Sequence, residues 1–175
     1  IAVIWSVLDR KRYQYEKLLF WLVILMSYYL AVTMLNYGFI KIFPTQFSFP
    51  TATKLNQTYG ESSPMGLLWT FMGYSMTYNV FTGLGEAIGG FLLFFKRTRL
   101  LGAIVAVAVL SHVVVLNFSY DVPVKLHSMH LLSMAIFLIA PYTEKLLKFF
   151  LQQTQPEFSP VKFFSGNKRA PLVFR

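Results

Sequence analysis

The stretch that most constrains this chain is 67–95, LLWTFMGYSMTYNVFTGLGEAIGGFLLFF. It is apolar almost throughout, contains no proline, and is closed by the basic group Lys96-Arg97-Thr98-Arg99. As one helix it would extend about 43 Å at about 1.5 Å per residue, more than the roughly 30 Å of a bilayer's hydrocarbon core. It therefore predicts a membrane span with length to spare for tilt. One carboxylate, Glu86, sits inside it, and an ionisable group at that depth is expected to face a bundle interior or a cavity. The rest of the chain is expected to supply three more helices packed around this one.

Composition points the same way. Of 175 residues, 55% are hydrophobic and only 13% charged, against about 25% charged in soluble domains. The chain has no cysteine, which removes thiol redox chemistry, cysteine-held clusters and disulfides. A net charge of +9 raises nucleic acid as a partner, but the placement of the charges argues against it.

Taken in order, the chain opens on IAVIWSVL, an apolar run read as the end of a preceding helix. The chain is therefore expected to be a fragment of a longer one. A charged connector follows, so 1–17 form one unit. Complete spans are predicted at 18–40, 67–95, 100–116 and, more weakly, 124–142. In the first of these, Trp21 and Tyr37 stand near the two ends, where aromatic residues favour the membrane interface. The loop 43–65 carries Pro44, Pro50, Gly60 and Pro64, and its Phe43, Phe47 and Phe49 are expected to rest partly on the membrane surface. Residues 146–151 read as an interfacial extension, which completes a membrane domain over 18–151. The polar, basic stretch 152–175 reads as a tail with little capacity to form a core.

With the connector placed in the cytoplasm, that side holds thirteen Lys and Arg residues and the other side only Lys41, Lys54 and Lys125. The positive-inside bias thus puts connector and tail in the cytoplasm with four spans between them. The basic residues flank apolar spans, so topology accounts for them and nucleic acid does not. The predicted fold is all-α, a four-helix transmembrane bundle, with the lipid bilayer as its first partner.

Ser75, Asn79, Thr82 and Glu86 follow one another at spacings of four, three and four, which places them on one helix face. A polar stripe through an apolar span is expected to turn toward other helices or water. Gly85 and Gly89 beside it form a GxxxG pair, which lets a neighbouring backbone approach. Counted from the cytoplasmic ends of their spans, Glu86 lies about 15 Å deep, His112 about 20 Å and His130 about 18 Å. Three helices thus bring a carboxylate and two imidazoles to overlapping depths. Glu86, His112 and His130 are the candidate catalytic residues, able to pass a proton to a bound molecule if they converge. The alternative is that the stripe is packing glue, with Glu86 protonated and hydrogen-bonded.

His127 and His130, three apart, would join His112 and Glu86 in a metal set only if all came within about 2 Å of one ion. Histidines of membrane helices also hydrogen-bond across bundles, and no metal is assigned. At the outer end, Tyr37 and Lys41 share a face, and Asp121 has Lys41 or Lys125 as its possible partner. Tyr37 and Lys41 join Ser75, Asn79 and Thr82 as candidate contacts to a bound molecule.

The combination of YGFIKIFP (37–44), GLGEAIGGFLLFFKRTRLLGA (83–103) and NFSYDVPVKLHSMHLL (117–132) resembles the DoxX-like family of small bacterial four-helix membrane proteins. The resemblance covers roughly 18–142. It implies the bacterial cytoplasmic (inner) membrane and a multi-pass topology. It also implies a subunit of a redox system handling a quinone-like lipophilic molecule, with Glu86 near that molecule and a membrane or soluble subunit as partner. The alternative is a non-catalytic scaffold or small-solute carrier.

Overall fold

A computed structural model describes residues 15–152. The calls on 1–14 and 153–175, including the preceding helix and nearly all of the basic tail, lie outside the described residues. Within them the chain is all helical. Its helices are α1 (Glu16–Ile42), α2 (Ala52–Leu55), α3 (Pro64–Tyr74), α4 (Met76–Phe94), α5 (Arg99–Ser119), α6 (Lys125–Ile139) and α7 (Thr143–Gln152). Single 3₁₀ turns occur at Tyr59–Glu61 and Ala140–Tyr142. Two helices, α1 with 27 residues and α5 with 21, are long and apolar enough to cross a membrane by length and composition.

The stretch 67–95 is not one helix. It begins earlier, at Pro64, where proline suits the first helical position because its missing N–H would have no partner there; the Ser63 hydroxyl caps that end by accepting from Gly66 N. It then breaks at Ser75, whose backbone leaves the helical region at φ −106° and ψ 96°. The Ser75 hydroxyl accepts from Tyr78 N and caps α4, the role for which serine is favoured. Just before the break, the loop backbone crosses Gly73 so closely that a Cβ there would collide with the Ser48 carbonyl oxygen.

The last predicted span, 124–142, closes near its expected end. Regular helix ends at Ile139, Pro141 sits in the 3₁₀ turn, and α7 continues from Thr143. Proline lacks the N–H needed to continue the ladder. The loop 43–65 is not simply spread on a surface. Phe43 and Phe49 are exposed, but Phe47 is buried with Leu68, Met72 and Val122. Its ring meets Trp69 edge-on at 5.0 Å between centroids, anchoring the loop to α3.

Helices α1, α4, α5 and α6 pack in cyclic order, each against the next, and α6 closes back on α1. The core between them is small and close-packed: Leu30, Ala31 and Met34 of α1, Leu93 of α4, Ala103, Ala106 and Leu110 of α5, and Leu131, Ala135 and Leu138 of α6. The tightest approach is α1 on α4. A Cβ at Gly38 would lie 2.7 Å from Gly83 O, and one at Gly90 2.8 Å from Ala31 O. The backbone contact therefore runs through Gly83 and Gly90, two helical turns apart, rather than through the GxxxG pair. Gly85 has only the Val109 side chain at ordinary distance.

Candidate functional site

Gly38 and Gly83 bring the end of α1 against the middle of α4, and one turn beyond Gly38 stands Lys41. Its ammonium reaches back along the interface to Glu86, with Nζ 2.5 Å from Oε1. Both groups are buried, Lys41 at 8% exposure and Glu86 at 4%. Burying either charge alone is unfavourable, and burying them in contact offsets part of that penalty.

Around the pair lies a polar layer at the α1 C-terminal end of the bundle. Asn79 is fully buried and donates from Nδ2 to Phe47 O at 3.4 Å. Thr82, half-buried, donates its hydroxyl to Asn79 O. Val109 packs over Gly85 and Val105 over Gly89, so α5 runs antiparallel to α4. Eight residues beyond Val109, the buried Asn117 comes level with the first turn of α4, where Asn79 stands.

Several atoms of this layer are unmatched. Glu86 Oε2, Asn79 Oδ1 and Asn117 Nδ2 are buried and make no hydrogen bond. Lys41 Nζ makes one, to Glu86, while an ammonium carries three donors. Buried polar groups are nearly always satisfied. The layer thus holds both spare donors and spare acceptors.

The predicted residues divide clearly. Asn79, Glu86 and Lys41 face inward, and Thr82 is partly covered. Ser75 lies outside the helix face expected of it, because it is the capping residue at the break. His112 is exposed, and among the described residues no hydrogen bond or ion pair joins it to Glu86. His130 is exposed on α6, and among the described residues no hydrogen bond or ion pair joins it to Glu86. His127 instead faces Tyr37, with ring centroids 6.2 Å apart. Asp121 pairs with Lys125, not Lys41. Among the described residues, no three of His, Asp and Glu gather as a metal-ligand set.

Two features of this layer escaped the sequence. Lys41 is a candidate contact at the outer end, but its pairing with Glu86 was not foreseen, although a lone cation and a lone carboxylate in facing apolar helices form a natural pair. Asn117 carries no pattern in the sequence that marks it as buried. Chemically, the Lys41–Glu86 pair holds a proton between an amine and a carboxylate in a water-poor interior. The neighbouring amides can orient a carbonyl or hydroxyl group placed beside it.

A described groove of about 310 Å³ lies elsewhere, along the outer side of α3, lined by Tyr59, Leu67, Thr70, Phe71, Tyr74 and Ser75.

No family model matches the chain, and no solved structure matches it. Over 125 residues it is 30% identical to the uncharacterized protein YwoB of Bacillus subtilis (strain 168), an alignment that covers 71% of this chain and 79% of the relative.

Proposed function

The chain belongs to the same family as Bacillus subtilis YwoB, and we propose that it is a multi-pass protein of the bacterial cytoplasmic membrane serving a redox system that handles a quinone-like lipophilic molecule. In this proposal α1, the broken pair α3 and α4, α5, and α6 with its 3₁₀ turn are the four crossings of a transmembrane bundle. Support comes from the apolar lengths of α1 and α5. It also comes from large apolar side chains exposed around the ring, such as Leu25, Val32, Phe81, Ile88, Val115 and Ile136. The thirteen-to-three division of basic residues supports the orientation. The DoxX-like resemblance belongs to the same proposal, as does a partner subunit that exchanges electrons with the bound molecule.

One observation carries the functional part: Glu86 Oε2 is buried without a partner beside a lysine with spare donors, and Asn79 Oδ1 and Asn117 Nδ2 are buried and unmatched toward the same end of the bundle. A head group bearing carbonyls or hydroxyls would satisfy both kinds, and its apolar remainder would suit a helix bundle in lipid. Lys41 and Glu86 would hold that head and exchange a proton with it.

A specific observation favours a second reading. The Gly38–Gly83 contact walls the pair on one side, as in a purely structural clasp of a scaffold. Purification from native membranes followed by mass spectrometry of co-extracted lipophilic molecules separates the two. The proposal expects a quinone-like compound retained by the native chain and lost from the neutral double variant Lys41→Met/Glu86→Leu. Equal recovery from both proteins, or none from either, leaves the scaffold.

A further inference from the structure

We propose that α7 lies on the membrane surface and binds the head groups of anionic phospholipids, with the basic turn between α4 and α5 as its second point of contact. The proposal rests on the membrane reading above. Its first support is the pattern of α7 itself, TEKLLKFFLQ. At helical spacing Leu146, Leu147, Phe150 and Leu151 gather on one side, and Glu144, Lys145 and Lys148 on the other. Most of the apolar side is left uncovered by the described residues: Leu147 is 53% exposed, Phe150 70% and Leu151 77%, while Leu146 is half-buried. A short helix with one strongly apolar and one cationic side suits the boundary between acyl chains and head groups.

Position supplies the second support. The 3₁₀ turn Ala140–Tyr142 fixes the start of α7, and α5 and α6, joined by a short turn and packed together, bring the end of α6 back to the end of the bundle where α5 begins. The exposed Lys96 and Arg97 of the α4–α5 turn are therefore at the same end of the molecule. Against these two cations and Lys145 and Lys148, the two segments hold one carboxylate, Glu144. That carboxylate is already paired with Lys148 at 2.5 Å. The excess of positive charge beside an exposed apolar stripe selects the occupant: lipid phosphate above, acyl chain below. A protein groove would cover the stripe without needing anionic lipid, which makes it a distinguishable outcome.

The cysteine-free chain accepts single nitroxide labels. The full-length protein, labelled at Phe150→Cys, is reconstituted in vesicles of phosphatidylcholine alone or of phosphatidylcholine mixed with phosphatidylglycerol. Accessibility to oxygen and to a water-soluble nickel chelate is then read by electron paramagnetic resonance. The expected result is a severalfold fall in nickel accessibility, with a rise in oxygen accessibility, only when phosphatidylglycerol is present. Lys145→Gln/Lys148→Gln should abolish the difference. Equal nickel accessibility in both lipids, or equal protection in both, overturns the proposal. A label at Val115→Cys, on the exposed side of α5, tests the premise separately. If it is open to nickel in both vesicles, the membrane reading fails and takes this proposal with it. If it is lipid-protected while Phe150→Cys shows no lipid dependence, the helix proposal alone fails.

Discussion

Lys41 and Glu86 touch at 2.5 Å inside the bundle, 45 residues apart in the chain, at the level where Gly38 and Gly83 press the two backbones together. Removing either partner strands the other. Lys41→Met and Glu86→Leu are each expected to lower stability by about 3–5 kcal/mol, while the double variant should recover most of that loss. Unfolding of the detergent-solubilised protein measures all three. Single variants as stable as the native chain would show that the pair does not hold the helices together.

The glycines of α1 and α4 make a sharper, position-specific prediction. Gly38→Ala places a methyl group 2.7 Å from Gly83 O and 2.8 Å from Ala87 N, both backbone atoms that cannot rotate away. Overpacking of this kind costs about 1–3 kcal/mol. Gly85→Ala meets only Val109 at 3.6 Å and should be neutral or gain up to about 1 kcal/mol from helix propensity. Melting temperatures of the two variants should therefore move in opposite directions or differ by several degrees; a Gly38→Ala protein as stable as Gly85→Ala would contradict the close approach.

At the α5–α6 turn, Asp121 adopts a left-handed backbone, φ 52°. Asp121→Asn should be tolerated there, whereas Asp121→Val should cost about 1–2 kcal/mol. The hydrogen bond from Lys125 also holds the Asp121 carboxyl below the usual carboxylate range. A carboxyl lowered on folding contributes stability above its unfolded pKa, about 3.9, and loses it as the pH falls through the folded value. Carboxyl carbon chemical shifts during a pH titration should show the Asp121 midpoint rising in Lys125→Ala. An unchanged midpoint would show that the pair does not persist in solution.

Topology can be checked in intact cells. Ser62→Cys, in the loop before α3, should react with an impermeant thiol reagent. Lys96→Cys, in the exposed α4–α5 turn, should react only after the membrane is opened. The reverse pattern would invert the proposed orientation.

Much of the helical frame was legible because apolar runs bounded by charge mark helix limits well. The expected 18–40 became Glu16–Ile42, and 100–116 became Arg99–Ser119. The break at Ser75 was hidden, because a capping serine inside an apolar run looks like any buried serine until its backbone angles are seen. Rotation about a helix axis was not legible either. His130 was given a depth near that of Glu86 but lies on an exposed side of α6, while His127, three residues earlier, turns toward Tyr37. The partner of Lys41 was missed for a related reason: its long side chain carries the charge well away from its own Cα, so residue position understated how far inward it reaches.

The separation of Lys41 from Glu86 also bears on how the protein is made. On the membrane reading, α1 leaves the ribosome before α4 exists. At about 5–20 residues per second, the partner carboxylate arrives several seconds after the lysine. During that interval Lys41 has no buried counter-charge, so the end of α1 should stay at the water boundary. Arrival of α4 then lets the lysine move inward as the two glycine faces close. Biosynthesis would thus set α1 to its final depth in two stages, with Glu86 as the signal that permits the second.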